Sequence, residues 1–265
     1  MKRISTASIL AGGILAGAAW LAGTGAAMAD DWGIVTGSLA VQSDYRFRGI
    51  SQNDNDFTPQ GSVNWSGPMG FYVGSWASKI NFREKELGLL PDSTKVEWDI
   101  YGGKHFDLGD GTDLNVEAYY YAYPDHNDRL AGFKDSYYET IVQLSHSFDK
   151  LSLTGSVAWS PDFFAETGNG VWVSGLASYR LNDWLSVSGQ VGHQWAEDLN
   201  GLPGYPYTHW DLGVTASWNN WALDLRYVDT SITKNECVGL NGPGNGHWCR
   251  ATVVATLTYN FTLLE

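Results

Sequence analysis

Residues 251–261 read Ala-Thr-Val-Val-Ala-Thr-Leu-Thr-Tyr-Asn-Phe, and their alternation decides the fold. One parity carries Ala251, Val253, Ala255, Leu257, Tyr259 and Phe261; the other carries Thr252, Thr256, Thr258 and Asn260. Successive side chains of a strand point to opposite faces, so this period of two describes a strand with one apolar and one polar face, and no helix produces it. The same pattern recurs upstream. Leu151, Leu153, Gly155, Val157 and Trp159 alternate with Ser152, Thr154, Ser156, Ala158 and Ser160; Val171 to Tyr179, Leu185 to Val191 and Trp210 to Trp218 behave alike. Val35 to Phe47 alternates with Thr36, Ser38, Gln42, Asp44, Arg46 and Arg48, so strand one is expected to run through Arg48. Further runs lie at 61–65, 71–77, 96–102, 114–122, 138–144 and 221–227. The total is about twelve strands of roughly ten residues, long enough to cross a bilayer when tilted.

The connections alternate short and long. Short ones fall at 66–70, 107–113, 149–150, 182–183 and 219–220; long ones at 49–57, 81–93, 124–134, 161–169, 196–206 and 229–247. An up-and-down barrel of the bacterial outer membrane has short periplasmic turns and long outer loops, and an even strand number puts both termini in the periplasm. A soluble sandwich gives no reason for that segregation. Rings gather near strand ends: Trp218, Trp221, Phe148 and Trp184 beside short turns, and Trp159, Trp195, Trp210 and Tyr227 at the opposite ends. Two membrane interfaces favour such bands. The fold class expected is therefore all-β, a transmembrane antiparallel barrel with membrane lipid as its outer partner.

Composition agrees. The chain has 31 Gly, 13 Trp and 14 Tyr but only 17% charged residues. Lys2 and Arg3 precede an apolar run from Ala7 to Leu21 and the small-residue site Ala27-Met28-Ala29, the order of a cleaved export signal. Residues 1–29 read as that signal and 30–265 as one barrel domain. The formal net charge of −13 argues against nucleic acid as a partner, because phosphate repels it.

Cys237 and Cys249 would be oxidised after export, closing one loop with a disulfide. Zinc is the alternative, with His247 nearby but no clear fourth ligand. Asn53-Asp54-Asn55-Asp56 offers hard oxygens that could hold calcium, or forms a solvated polar loop. No cofactor motif is present, and no metal site is assigned.

The stretch Ser43-Asp-Tyr-Arg-Phe-Arg-Gly-Ile-Ser-Gln52, then Pro59 to Ser62, Gly70 to Ser78 and Glu97-Trp98-Asp99, resembles the TorF family of porin-like proteins, also known as the Gcw family of proteobacterial proteins of unknown function. The resemblance is strongest over 35–103. It implies an outer-membrane barrel with a porin role and brings no catalytic residues. Outer-membrane strands commonly finish on an aromatic, whereas here Phe261 is followed by four more residues, read either as a tail or as atypical assembly recognition.

With apolar residues facing lipid, the lumen receives Asp44, Arg46, Arg48, Glu97, Asp99, Glu117, Glu139, Arg180, Asp211, Asp224, Arg226 and Arg250. Such charges either pair across strands as a structural ladder or line a wet path and set ion selectivity. Asp44, Arg46 and Arg48 are expected beside Arg250, with Glu97, Asp99 and Glu117 as counter-charges. Tyr119 and Tyr121 share the polar parity and either pack the lumen or stack against a ring-bearing solute. The function these readings favour is passage of small hydrophilic solutes or ions. The alternatives are a narrow closed barrel with a structural, adhesive or stress-related role, and an interfacial lipid hydrolase using His146 or His193, for which no G-x-S-x-G motif exists.

Overall fold

The computed structural model of the chain describes residues 32–88, 90–197 and 206–264; the expected export signal lies outside them. Twelve strands close into one antiparallel barrel. In chain order the strands are β1 (Ile34–Gln42), β2 (Arg46–Phe47), β3 (Ile50–Ser51), β4 (Thr58–Ser66), β5 (Phe71–Lys79), β6 (Val96–Gly109) and β7 (Thr112–Ala122). They continue as β8 (Tyr137–Phe148), β9 (Leu151–Ser160), β10 (Gly170–Arg180), β11 (Leu185–Ala196), β12 (Tyr207–Trp218), β13 (Trp221–Thr230) and β14 (Thr252–Leu264). Every barrel strand pairs with its neighbours in sequence, and β1 pairs with both β4 and β14, which removes the edge. Closure matters in lipid, where each backbone N–H and C=O needs a partner within the sheet.

The pleat sorts the side chains as the alternation requires. Leu212 is 60% exposed and Val253 64%, both on the outer face, while their neighbours Asp211 and Thr252 point inward and are half-buried. A water-facing sheet with so continuous an apolar exterior would associate; acyl chains remove that penalty. Trp184, Trp218 and Trp221 stay exposed at the short-turn end, and Trp98, Trp159, Trp195 and Trp210 at the other. The loops segregate by length as expected, and both β1 and β14 have their outer ends on the short-turn side.

Three details depart from the expectations. Strand one stops at Gln42. Its last ladder contacts are made by Ser43, whose N–H donates to the Ala255 carbonyl and whose Oγ accepts from the Ala255 N–H. The chain then leaves the wall, so Asp44, Arg46 and Arg48 are not strand-one residues. The final strand continues past Phe261 to Leu264, which pairs with Val35 across a register shift; the segment after Phe261 is strand rather than tail. Inside the long connection 231–251 lies a short helix, α1 (Lys234–Asn241), started by a capping box in which Thr233 and Glu236 exchange hydrogen bonds.

Candidate functional site: a hairpin folded into the lumen

The segment after Gln42 turns inward as a two-stranded hairpin, with β2 pairing β3. Its turn is Arg48-Gly49, with φ of 46° and 88°. Two successive positive φ values make the tight turn that matches strand twist. Gly49 also lies against the wall two to three strands from β1: a Cβ there would stand 2.5 Å from Thr230 Cγ2 on β13 and 3.0 Å from His209 Cβ on β12. The hairpin leaves the wall at the end of β1 and passes β13 and β12, and its Arg48 side chain reaches β11, β10 and β8 across the lumen.

Arg48 fixes the tip. Its guanidinium donates to Glu139 Oε2 at 2.6 Å on β8 and to Gln194 Oε1 at 2.5 Å on β11. It also lies 4.7 Å over the rings of Phe47 and of Trp172 on β10. These contacts hold a non-glycine residue in a left-handed conformation that it otherwise avoids. Arg46 fixes the base. It pairs with Asp44 at 2.5 Å and donates to the carbonyls of Gly49, Trp248 and Arg250. Asp44 further accepts from Ser51 and Asn55. Asn53 is spent in the same way, accepting from the Tyr45 N–H. Asp54 Oδ1 meets His247 Nε2 at 3.0 Å, the indole N–H of Trp248 at 2.8 Å and Arg83 at 3.5 Å. The 53–56 loop is thus tied into the protein at Asn53 and Asp54, with Asn53 buried, Asp54 and Asn55 half-buried and Asp56 exposed to solvent.

Tyrosines fill the space on one side of the hairpin. Tyr101 stacks on Tyr119, and Tyr121 on Tyr137, with centroids 5.0 and 4.5 Å apart. Tyr45 sits edge-on to Trp76, and Phe47 to Tyr121. Tyr119 and Tyr121 are buried among these rings. Three inward acids of this wall take tyrosine hydroxyls rather than arginines: Tyr45 donates to Glu97, Tyr119 to Asp99 and Tyr72 to Glu117, while Glu139 accepts from Tyr121 as well as from Arg48. The expected pairing of Glu97, Asp99 and Glu117 with the first arginines is corrected accordingly. The acids are carried by β6 and β7, whereas the arginines sit on the hairpin, whose own Asp44 and the β8 residue Glu139 are nearer. Glu97 Oε2 and Asp99 Oδ1 remain buried without a hydrogen-bond partner among the described residues.

A second network occupies the opposite wall. Arg226 donates to Asp224 at 3.0 and 3.1 Å, to Ser188 Oγ at 2.9 Å and to Asp211. Gly213 makes room for it: a Cβ would fall 2.7 Å from the guanidinium carbon. Arg180 points inward at the short-turn end of β10, half-buried. Arg250 does not join the lumen ladder. It precedes β14, its side chain is exposed, and only its carbonyl meets Arg46. Towards the short turns the inward face changes to half-buried Ser62, Asn64, Gln143, Ser145, Thr154 and Gln190. Polar positions that keep contact with solvent inside a closed sheet form a vestibule below the filled band.

The sequence missed Tyr45, Phe47, Trp172 and His209 as members of this band. Alternation assigned Tyr45 and Phe47 to the lipid face, because the hairpin is itself extended and keeps the period of two; Arg48-Gly49 was the turn signal that could have separated them. Cys237 and Cys249 are joined as a disulfide, packed under Trp248. The Nδ1 atoms of His146 and His193 share hydrogen bonds with Thr112 and Thr208. Among the described residues no hydrogen bond brings either of them a serine or a carboxylate.

The sequence profile of a bacterial protein family of unknown function, Gcw_chp, matches residues 26–261. No curated protein matches the chain. Among solved structures, the KdgM porin in complex with disordered oligogalacturonate is similar over 86% of this chain and 99% of its own, with TM-score 0.55 and 8% identity. The NanC porin is similar over 87% and 99%, with TM-score 0.52 and 9% identity. At such identities the likeness concerns the fold.

Proposed function

The chain belongs to the Gcw_chp family of bacterial proteins of unknown function, and we propose that it is an outer-membrane porin-like channel for small hydrophilic solutes or ions, narrowed by the hairpin at 43–56. The observation that carries this reading is a polar inward face interrupted at one level by a hairpin tethered to the opposite wall through Arg48. Loops folded into a barrel set the width and field of a pore, while the wall below them stays hydrated. In this reading residues 1–29 are removed on export, both termini face the periplasm and the long loops face outward.

The charge around the band has a sign. Asp44, Glu97, Asp99, Glu117 and Glu139 outnumber Arg46 and Arg48 there, and Arg226 is matched by Asp211 and Asp224. An acid-rich constriction favours cations. That a barrel of similar fold is in complex with oligogalacturonate is compatible with hydrophilic passage, though this lumen favours the opposite charge.

Near-complete burial of the band favours a second reading, a closed barrel with a structural or surface role: Glu97, Asp99 and Tyr121 are at most 2% exposed. Planar-bilayer recording of the mature chain decides between them. Discrete conductance with cation preference, reduced by Glu97→Gln with Asp99→Asn, supports the channel. Silence across salts, including in a hairpin-released variant, refutes it.

A further inference from the structure

Away from the lumen band, two long loops meet through three potential metal ligands. Glu84 lies in the 80–95 connection, and His126 and Asp135 in the 123–136 connection. One ligand atom from each lies within 4.8 Å of the others. His126 Nδ1 is 3.0 Å from Asp135 Oδ2 and 3.7 Å from Glu84 Oε1. The side chains of His126 and Asp135 are 2% and 3% exposed. We propose that Glu84, His126 and Asp135 bind a first-row divalent cation of the zinc class, which staples the two loops together at the long-loop end of the barrel.

Four observations carry this. Ligands placed tetrahedrally at about 2.0–2.1 Å from zinc stand roughly 3.4 Å apart, and the two histidine–carboxylate distances bracket that value. Glu84 is aimed rather than adrift, because Thr94 donates to it twice, from its N–H at 2.9 Å and from Oγ1 at 2.6 Å. Two buried polar atoms in the cluster, Asp135 Oδ1 and His126 Nε2, have no hydrogen-bond partner among the described residues; buried polar groups normally find one. Asp128 Oδ1 stands 4.0 Å from that Nε2, on the side where a carboxylate commonly orients a ligating imidazole. One imidazole nitrogen with two carboxylates suits zinc and its first-row neighbours better than calcium or magnesium, which take oxygen sets. The fourth position is left to solvent.

The test uses the untagged mature chain in detergent, stripped with a chelator, and then titrated with Zn2+ by calorimetry and with Co2+ by visible absorption. The expected result is one equivalent bound, with the intense absorption of four- or five-coordinate Co2+. His126→Ala and Asp135→Asn should each weaken binding at least about 100-fold, since even partners outside the ligand sphere cost 10–100-fold. His247→Ala, at the separate cluster with Asp54, should leave it unchanged. Heat-dependent electrophoretic mobility checks that each variant is a folded barrel. Should a variant not fold, the wild-type Co2+ spectrum decides alone, the unchanged spectrum of the hydrated ion overturning the site. No stoichiometric uptake, or uptake indifferent to both substitutions, also overturns it. Conductance is no readout here, so the channel and the metal site stand or fall separately.

Discussion

Arg48→Ala is the sharpest perturbation of the band. Arg48 and Glu139 are 4% and 1% exposed as side chains, and their contact is 2.6 Å. Removing the guanidinium leaves Glu139, among the described residues, with the Tyr121 hydroxyl alone and leaves Gln194 Oε1 without its Arg48 donor. Breaking a buried pair from one side costs about 3–5 kcal/mol, mostly through the stranded charge. The hairpin base keeps its own ties through Arg46 and Asp44, so the loss should fall on tip docking rather than on the barrel. At about 1.4 kcal/mol per tenfold, the undocked population rises roughly 100-fold or more. The assay pairs hydrogen exchange at residues 45–51 with single-channel recording. Protection should fall by that factor and conductance should rise. Adding Glu139→Gln removes the stranded charge, and the double variant should recover roughly 0.5–3 kcal/mol of the loss, the usual size of coupling between contacting groups. Unchanged protection together with unchanged conductance in Arg48→Ala would refute the reasoning.

Other outcomes follow from the same geometry. Gly213→Ala should lower denaturation stability by about 1–3 kcal/mol, because the new Cβ meets the pinned Arg226 guanidinium, whereas Gly155→Ala, with nothing within 4 Å, should not; equal midpoints in urea would contradict this. Leu212→Arg should cost about 2–4 kcal/mol in a bilayer, since Leu212 is outward and 60% exposed; a change near zero would argue that this face meets water. Reducing Cys237–Cys249, twelve residues apart, should loosen 231–251 by about 3 kcal/mol and speed its proteolysis, while far-ultraviolet circular dichroism of the barrel stays constant; loss of strand signal would show the disulfide supporting more than its loop.

The barrel was legible because its physics is local. Each strand from Leu151 onward carries its own two faces, and the short turns at 149–150 and 219–220 fall where polar dipeptides interrupt the alternation. The disulfide followed from two cysteines in a chain whose first residues read as an export signal. The inward charges followed from parity for Glu97, Asp99, Glu117, Glu139, Asp211, Asp224 and Arg226, but their partners did not. Which acid meets Arg48 depends on where a hairpin tip lands, and that is set by the diameter of a closed sheet. Parity also has no means of marking where a chain leaves the wall while staying extended, which is why Tyr45 and Phe47 were assigned to lipid. Glu84, His126 and Asp135 were invisible for a related reason: their spacing follows no motif, and only the packing of two loops brings them together.

Along every barrel strand one parity should meet acyl chains and the other should meet water inside the closed sheet. Single cysteines placed along β4 and β12, at Ser62, Val63, Asn64, Asp211, Leu212 and Val214, test it in liposomes while the native disulfide stays intact. Reaction with a small charged thiol reagent should alternate, fast at 62, 64 and 211 and slow at 63, 212 and 214. Spin labels at the slow positions should collide with oxygen dissolved in the lipid. Uniform reactivity along both strands, or the reverse alternation, would contradict the account.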